Sequence, residues 1–212
     1  MAVYLGNNKV SVKGGYIKDG GGDTSYPLPT FFAVNGKFAH TTYTDTELTN
    51  IIKPSDTENL QDFTHMFDGC SNLTTIPQLN TSRAYSMNSM FFGCINLTTI
   101  PLMDTTNVTD MNEMFYGCGN LKVIPALVCS DETSLTNMFK GCYNLEEIHM
   151  TGMARTFRVE DCTKLTREAL VELLNNLGTP RTKRSLYLGT ENFNKLTEED
   201  KAIATSKNWR LR

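Results

Sequence analysis
A chain of 212 residues that is 40% hydrophobic can fill one core or one capped stack of repeats. Its formal charge of −3 lacks the clustered basic face of a nucleic-acid binder, so no nucleic-acid partner is expected. No apolar run approaches the roughly 18 residues that a membrane-spanning helix needs, so membrane insertion is not expected either.

The N-terminus, MAVYLGNNKVSVKGG, lacks the basic start, apolar stretch and small-residue cleavage site of a signal peptide. Cytoplasmic synthesis is therefore expected. Residues 1–22 read as an arm and linker. Residues 3–5 and 9–12 flank Gly6-Asn7-Asn8 and carry a hairpin signal, and Gly14, Gly15, Gly20, Gly21 and Gly22 follow as a flexible segment. Residues 23–59 read as an N-terminal cap. Within it, residues 30–34 and 37–41 flank Asn35-Gly36, the pair that supplies both positive φ values of a type I′ hairpin turn.

Residues 60–165 hold the main signal. MFDGCSNL from Met66, MFFGCINL from Met90, MFYGCGNL from Met114 and MFKGCYNL from Met138 recur at a spacing of 24 residues without insertion. The columns Phe67/Phe91/Phe115/Phe139, Cys70/Cys94/Cys118/Cys142, Leu73/Leu97/Leu121/Leu145 and Ile76/Ile100/Ile124/Ile148 are invariant in type. A unit this short cannot bury its own apolar face; stacked units turn each column into a ladder along a continuous core. The segment Leu-x-x-Ile-Pro predicts a short strand whose pairing the proline ends. Residues 87–94 and their equivalents predict a helical or 3₁₀ turn, with Met87 and Met90 on one face and Gly93 closing it at positive φ. Cys162-Thr163-Lys164-Leu165 reads as a degenerate fifth unit, 20 residues after Cys142.

Residues 166–212 read as an α/β C-terminal cap. Residues 166–177 predict an amphipathic helix with Leu170, Leu173, Leu174 and Leu177 on one face. A strand at 185–188, a helix at 196–207 and a strand at 209–211 follow, with Thr197 as N-cap and Asp200 near the capping-box position. Arg181, Lys183, Arg184, Lys207, Arg210 and Arg212 alternate with acidic residues and read as a solvated cap surface.

The pattern MFxGCxNLTxIPxLDTSxVTDM, met closely by Thr105-Thr106-Asn107-Val108-Thr109-Asp110-Met111, resembles the BspA-like leucine-rich repeats, in the variant described from mycoplasma surface proteins. The resemblance spans residues 55–165. The stretch from LTREALVELLNNL to LTEEDKAIATSKNWRLR also looks like a tail that follows such repeats in proteins of gut Firmicutes and their phages. It implies an α/β solenoid, a right-handed coil of 24-residue units with an N-terminal hairpin cap and an α/β C-terminal cap. It also implies adhesion or recognition at a bacterial surface or in a phage virion.

Nothing in the sequence points to a reaction, and no enzyme, cofactor or metal is expected. Ladder cysteines stand in a row rather than at the corners of a tetrahedron, and they read as buried thiols, with Cys129 and Cys162 off the ladder and more exposed. His40, His65 and His149 do not group with a cysteine or serine as a nucleophilic site requires. His65 shares a solvent-facing column with Ser89, Glu113 and Asn137. Asn72, Asn80, Asn96 and Asn107 fit the N-glycosylation pattern, but Asn72 and its ladder partners are expected to bond backbone groups instead.

Function is expected where columns vary. On the strand face these are Thr75, Thr99, Lys122, Glu146 and Glu147; on the turn face Phe92, Tyr116 and Tyr143, with Ile95, are expected as an exposed apolar patch. The expected partner is a surface protein or glycan. The alternatives are a structural virion component anchored through residues 1–22 and, weakly, a hydrolase. Oligomerisation is left open.

Overall fold
The computed structural model describes residues 2–5, 8–13, 16–18, 25–27, 45–46, 52 and 54–212. The expected hairpin at 30–41 and His40 lie outside these residues. Strands β1 (Ala2–Leu5) and β2 (Asn8–Lys13) pair antiparallel, with Val3 opposite Val10. Strands β3 (Tyr16–Lys18) and β4 (Ser25–Pro27) extend them into a four-stranded antiparallel meander. β3 therefore lies inside the stretch that composition assigned to a linker. An isolated two-stranded hairpin is marginal, and the β-forming Tyr16-Ile17 adds a third strand, between β2 and β4.

From Phe63 onward the chain repeats one backbone path. Four alternate amides in the turn, those of Phe63, His65, Phe67 and Gly69, donate to Ser86, Asn88, Met90 and Phe92 O of the next unit at 2.7–2.9 Å. The amides of Met66, Asp68 and Cys70 instead bond three residues back within the unit. The same alternation recurs in the next two units, so the expected helical or 3₁₀ turn is replaced by tight turns interleaved with parallel rung-to-rung bonds. The cause is backbone chirality. His65, Ser89, Glu113 and Asn137 stand at φ of 56°, 51°, 57° and 53°, and Gly69, Gly93, Gly117 and Gly141 at 68–79°. Two left-handed residues four positions apart in each unit interrupt any helix and turn the next amide outward.

On the opposite side of each unit the amides point the other way. Thr98 N donates to Thr74 O at 2.9 Å, Lys122 N to Thr98 O at 3.3 Å and Glu146 N to Lys122 O at 2.8 Å. In the last two units this side becomes β5 (Val123–Val128) and β6 (Glu147–Thr151), paired parallel with Ile124 opposite Ile148. Proline was expected to end the pairing. Pro125 instead lies within β5, where the register shifts between Ile124 and Leu127 and pairing resumes; an irregularity of this kind accommodates the missing N–H.

The invariant columns form the core. Phe67, Phe91, Phe115 and Phe139 are buried and stack in parallel at 5.6, 5.5 and 6.1 Å between ring centroids. Cys94, Cys118 and Cys142 donate their thiols to Phe67, Phe91 and Phe115 O at 3.0–3.1 Å. Cys162 continues this ladder with a 3.9 Å contact to Phe139 O and is fully buried, and Cys129 is only 7% exposed, so neither is a surface thiol. The shortened last interval hid Cys162 from a 24-residue template. A buried threonine column starts with Thr57 in the short helix α1 (Pro54–Thr57), whose hydroxyl accepts from Asn80 N at 2.7 Å.

Opposed amide directions leave donors open at both ends of the stack, and an aspartate meets them at each. Asp45 accepts from Thr74 N at 2.9 Å and Thr75 N at 3.2 Å, and from the Thr74 hydroxyl, where Thr74 O serves Thr98 and Thr99 one unit later. Asp161 accepts from Gly141 N at 2.8 Å, the position at which earlier units use a backbone carbonyl. Beyond it come β7 (Phe157–Arg158), α2 (Arg167–Asn175), β8 (Arg184–Tyr187), α3 (Gly189–Lys195), α4 (Glu198–Ser206) and β9 (Trp209–Leu211). β7, β8 and β9 form a parallel sheet, and Trp209 packs edge-on against Phe157 at 5.9 Å. Thr197 and Asp200 form the expected capping box. Helix α3 was not expected. Its Asn192 and Lys195 reach the carbonyls of Val159, Cys162, Thr163 and Leu165, satisfying the last turn of the fifth unit.

Candidate functional site
The strand face is held by the parallel bonds of Thr74, Thr98, Lys122 and Glu146, and it brings the first set of candidates into one surface. Thr99, Lys122, Glu146 and Glu147 are exposed there, whereas Thr75 is half-buried beneath the Asp45 contact. Partial burial pushes the Asp45 carboxyl up, but hydrogen bonds from Thr74 and Thr75 outweigh it and hold the group below the ordinary value. Among the described residues Lys122 and Glu146 make no ion pair, so their charges face solvent.

His149 extends the same face. Its Nδ1 lies 2.7 Å from Glu172 Oε1 on α2 and its Nε2 lies 2.9 Å from Glu147 Oε2 on β6. The Glu172 hydrogen bond, joined by that of Glu147, raises the His149 pKa above 6.5 against the opposing effect of burial. The sequence alone does not mark this contact, because Glu172 lies outside the repeat and no spacing links it to His149.

The turn-face set divides. Phe92 and Tyr116 are half-buried and stack on each other at 4.6 Å, with Lys140 Nζ 5.5 Å from the Tyr116 centroid. Their position 24 residues apart turns ring faces toward each other rather than outward. Tyr143 and Ile95 remain 60% and 53% exposed, so the exposed apolar surface of this set lies on them rather than on the stacked pair. Among the described residues no hydrogen bond, ion pair or ring contact links the strand-face and turn-face sets.

The column expected to face solvent behaves differently. His65 Nδ1 lies 3.0 Å from Asp68 Oδ2, Glu113 and Asn137 are half-buried, and Ser89 is buried. The ladder asparagines bond backward as expected, Asn96 to Ser71 O at 2.8 Å and Asn144 to Gly119 O at 2.7 Å. Burial pushes the Cys129 and Cys142 thiols up to about 12 and also lifts Cys94, Cys118 and Cys162, which opposes the thiolate that nucleophilic chemistry needs. Among the described residues no three His, Cys, Asp or Glu side chains cluster as a metal site. No helix of the described residues is long and apolar enough to cross a membrane.

Two of the concavities among the described residues bear on the sequence reading, which did not show them. One, of about 560 Å³, runs past Leu79, Leu102, Met103 and Val128 on the side that follows each Ile-Pro; Leu102 is 59% exposed there. The other, of about 380 Å³, joins Asp131 and Glu132 to Arg155, Arg181 and Arg184. Its residues come from three separate turns, so no local motif marks them.

Stacked 24-residue units, a shared buried core and solvent-facing variable columns define a repeat protein. The chain belongs to the family described as Mycoplasma protein of unknown function, DUF285, which matches residues 34–152, more than half of its length. That match reaches further toward the N-terminus than residues 55–165 and stops before the fifth unit. No curated protein and no solved structure matches the chain.

Proposed function
We propose that this chain is a right-handed, leucine-rich-repeat-like α/β solenoid of the BspA-like type. In this reading it acts as a non-catalytic recognition module for a protein or glycan on a cell surface. The observation that carries the reading is the strand face. Its backbone is held rigidly from unit to unit, while Thr99, Lys122, Glu146 and Glu147 vary in chemistry and stand exposed. A rigid scaffold with variable, solvent-facing polar groups limits the ordering cost of binding. The cysteine ladder, buried and held protonated, gives no support to a hydrolase.

The test is binding of fluorescently labelled full-length protein to intact bacterial cells, before and after stripping of surface glycans and proteins. Saturable binding that stripping abolishes is expected. Absence of binding to any such cell favours a structural virion component instead. The meander of β1 to β4 is the observation behind that second reading, because it supplies an ordered element apart from the repeats. Deletion of residues 1–22 then abolishes assembly, whereas a recognition module keeps its ligand.

A further inference from the structure
The groove beside Arg184 combines features that the strand face lacks. Arg155 forms one wall and is fixed in place: its Nε donates to Asp131 O at 3.0 Å and its Nη2 to Glu132 Oε2 at 2.6 Å. Arg184 opens β8, and its Nε is buried with no hydrogen-bond acceptor in the protein. Arg181, three residues earlier, is exposed. Among the described residues neither Arg181 nor Arg184 has a carboxylate partner, and the Asp131 carboxylate has no cationic one. Yet all three line the same cavity of about 380 Å³. Apart from the Arg155–Glu132 pair, opposite charges thus share one groove without meeting across it.

Unpaired guanidinium groups beside a desolvated Nε call for an oxyanion, which a planar guanidinium binds through two parallel N–H donors. A bare phosphate or carboxylate meets that demand but confronts Asp131 and Glu132 with like charge. A ligand that also carries hydroxyl donors satisfies both walls, since a carboxylate accepts from hydroxyls as readily as a guanidinium donates to an acid. The cavity lies in the size range of small-ligand sites. We infer that this groove binds an acidic sugar residue, its carboxylate held by Arg181 and Arg184 and its hydroxyls by Asp131 and Glu132. The inference rests on the recognition reading above and names the class of ligand at a second surface.

The test is titration of the full-length protein with glucuronate, glucose, acetate and inorganic phosphate, followed by NMR of the arginine Nε–H signals. The buried Arg184 Nε–H is the reporter. A dissociation constant of about 1 mM is expected for glucuronate, from the binding efficiency per atom of small ligands. Glucose, acetate and phosphate are each expected to bind at least about tenfold more weakly, because each lacks one half of the recognition. Arg181→Gln is expected to weaken glucuronate by about tenfold or more, as is Asp131→Asn. Arg181 is exposed, so its replacement leaves folding intact even if Arg184→Gln does not fold. Equal binding of phosphate or acetate overturns the sugar assignment, and no shift of the Arg184 signal by glucuronate overturns the site. Cell binding without a glucuronate response strikes this groove alone. A glucuronate response without cell binding strikes the recognition reading alone.

Discussion
Replacing Phe115 and Phe139 in turn by leucine tests whether the ring ladder acts as a chain of neighbour contacts. Phe115 stacks on two rings, at 5.5 and 6.1 Å, whereas Phe139 stacks on Phe115 alone among the described rings. Both are 1% exposed or less, so the loss of apolar volume on changing Phe to Leu is common to both, about 1–2 kcal/mol. Each lost ring pair adds about 0.5–1.5 kcal/mol. Phe115→Leu is therefore expected to cost about 2–5 kcal/mol and Phe139→Leu about 1.5–3.5, a difference of one ring pair. For a chain of this size that difference lowers Tm by roughly 1–6 °C more in the Phe115 variant. Urea and thermal unfolding of both variants beside the parent protein measure it. Equal losses at the two positions would refute additive neighbour stacking as a source of stability.

Asp45→Ala leaves the Thr74 and Thr75 amides without their acceptor and is expected to cost about 1 kcal/mol after allowance for solvent access, seen as a lower urea midpoint. Because the folded-state pKa of Asp45 is lowered, its contribution is present above the unfolded value of 3.8 and disappears as pH falls through the folded value; the parent-minus-variant difference should vanish in acid. His149 has the opposite sign. Its folded pKa is raised, so its stabilisation is complete below 6.5 and is lost as pH rises through the folded value. As a partly exposed clasp between β6 and α2 it is expected to contribute less than about 1 kcal/mol, read as a Tm difference from His149→Gln that shrinks toward alkaline pH. The six cysteines, all buried, are expected to resist alkylation in the native protein and to react together on unfolding; rapid native labelling of any ladder thiol contradicts their burial.

The repeat made the core legible in advance. Phe67, Cys70, Leu73 and Ile76 and their counterparts are buried because a periodic apolar column has nowhere else to go once units stack. The backbone path was less legible. Glycine announced one left-handed position per unit, but the second is occupied by His65, Ser89, Glu113 and Asn137, of which serine and glutamate do not favour that conformation by themselves. Rung-to-rung bonds on both sides of that residue compel the rest. Pro125 within a strand and Cys162 on the ladder were hidden for related reasons: one is absorbed by a shift in register, the other by a shortened interval. Of the candidate site, the exposed charges on the strand face were legible from column variation. The stacking of Phe92 on Tyr116 was not, because exposure of a variable aromatic depends on the ring in the next unit. Long-range pairs such as His149 with Glu172 have no period to reveal them.

The most direct measurement is cell binding of the parent protein beside a Lys122→Glu, Glu146→Lys, Glu147→Lys variant, with thermal unfolding run in parallel. These side chains are exposed and lie outside the core, so Tm should stay within a few degrees of the parent. A loss of at least about tenfold in affinity at unchanged Tm is the expected result for a recognition face on the strand side. Undiminished binding by a folded variant contradicts it and places the contact elsewhere on the molecule.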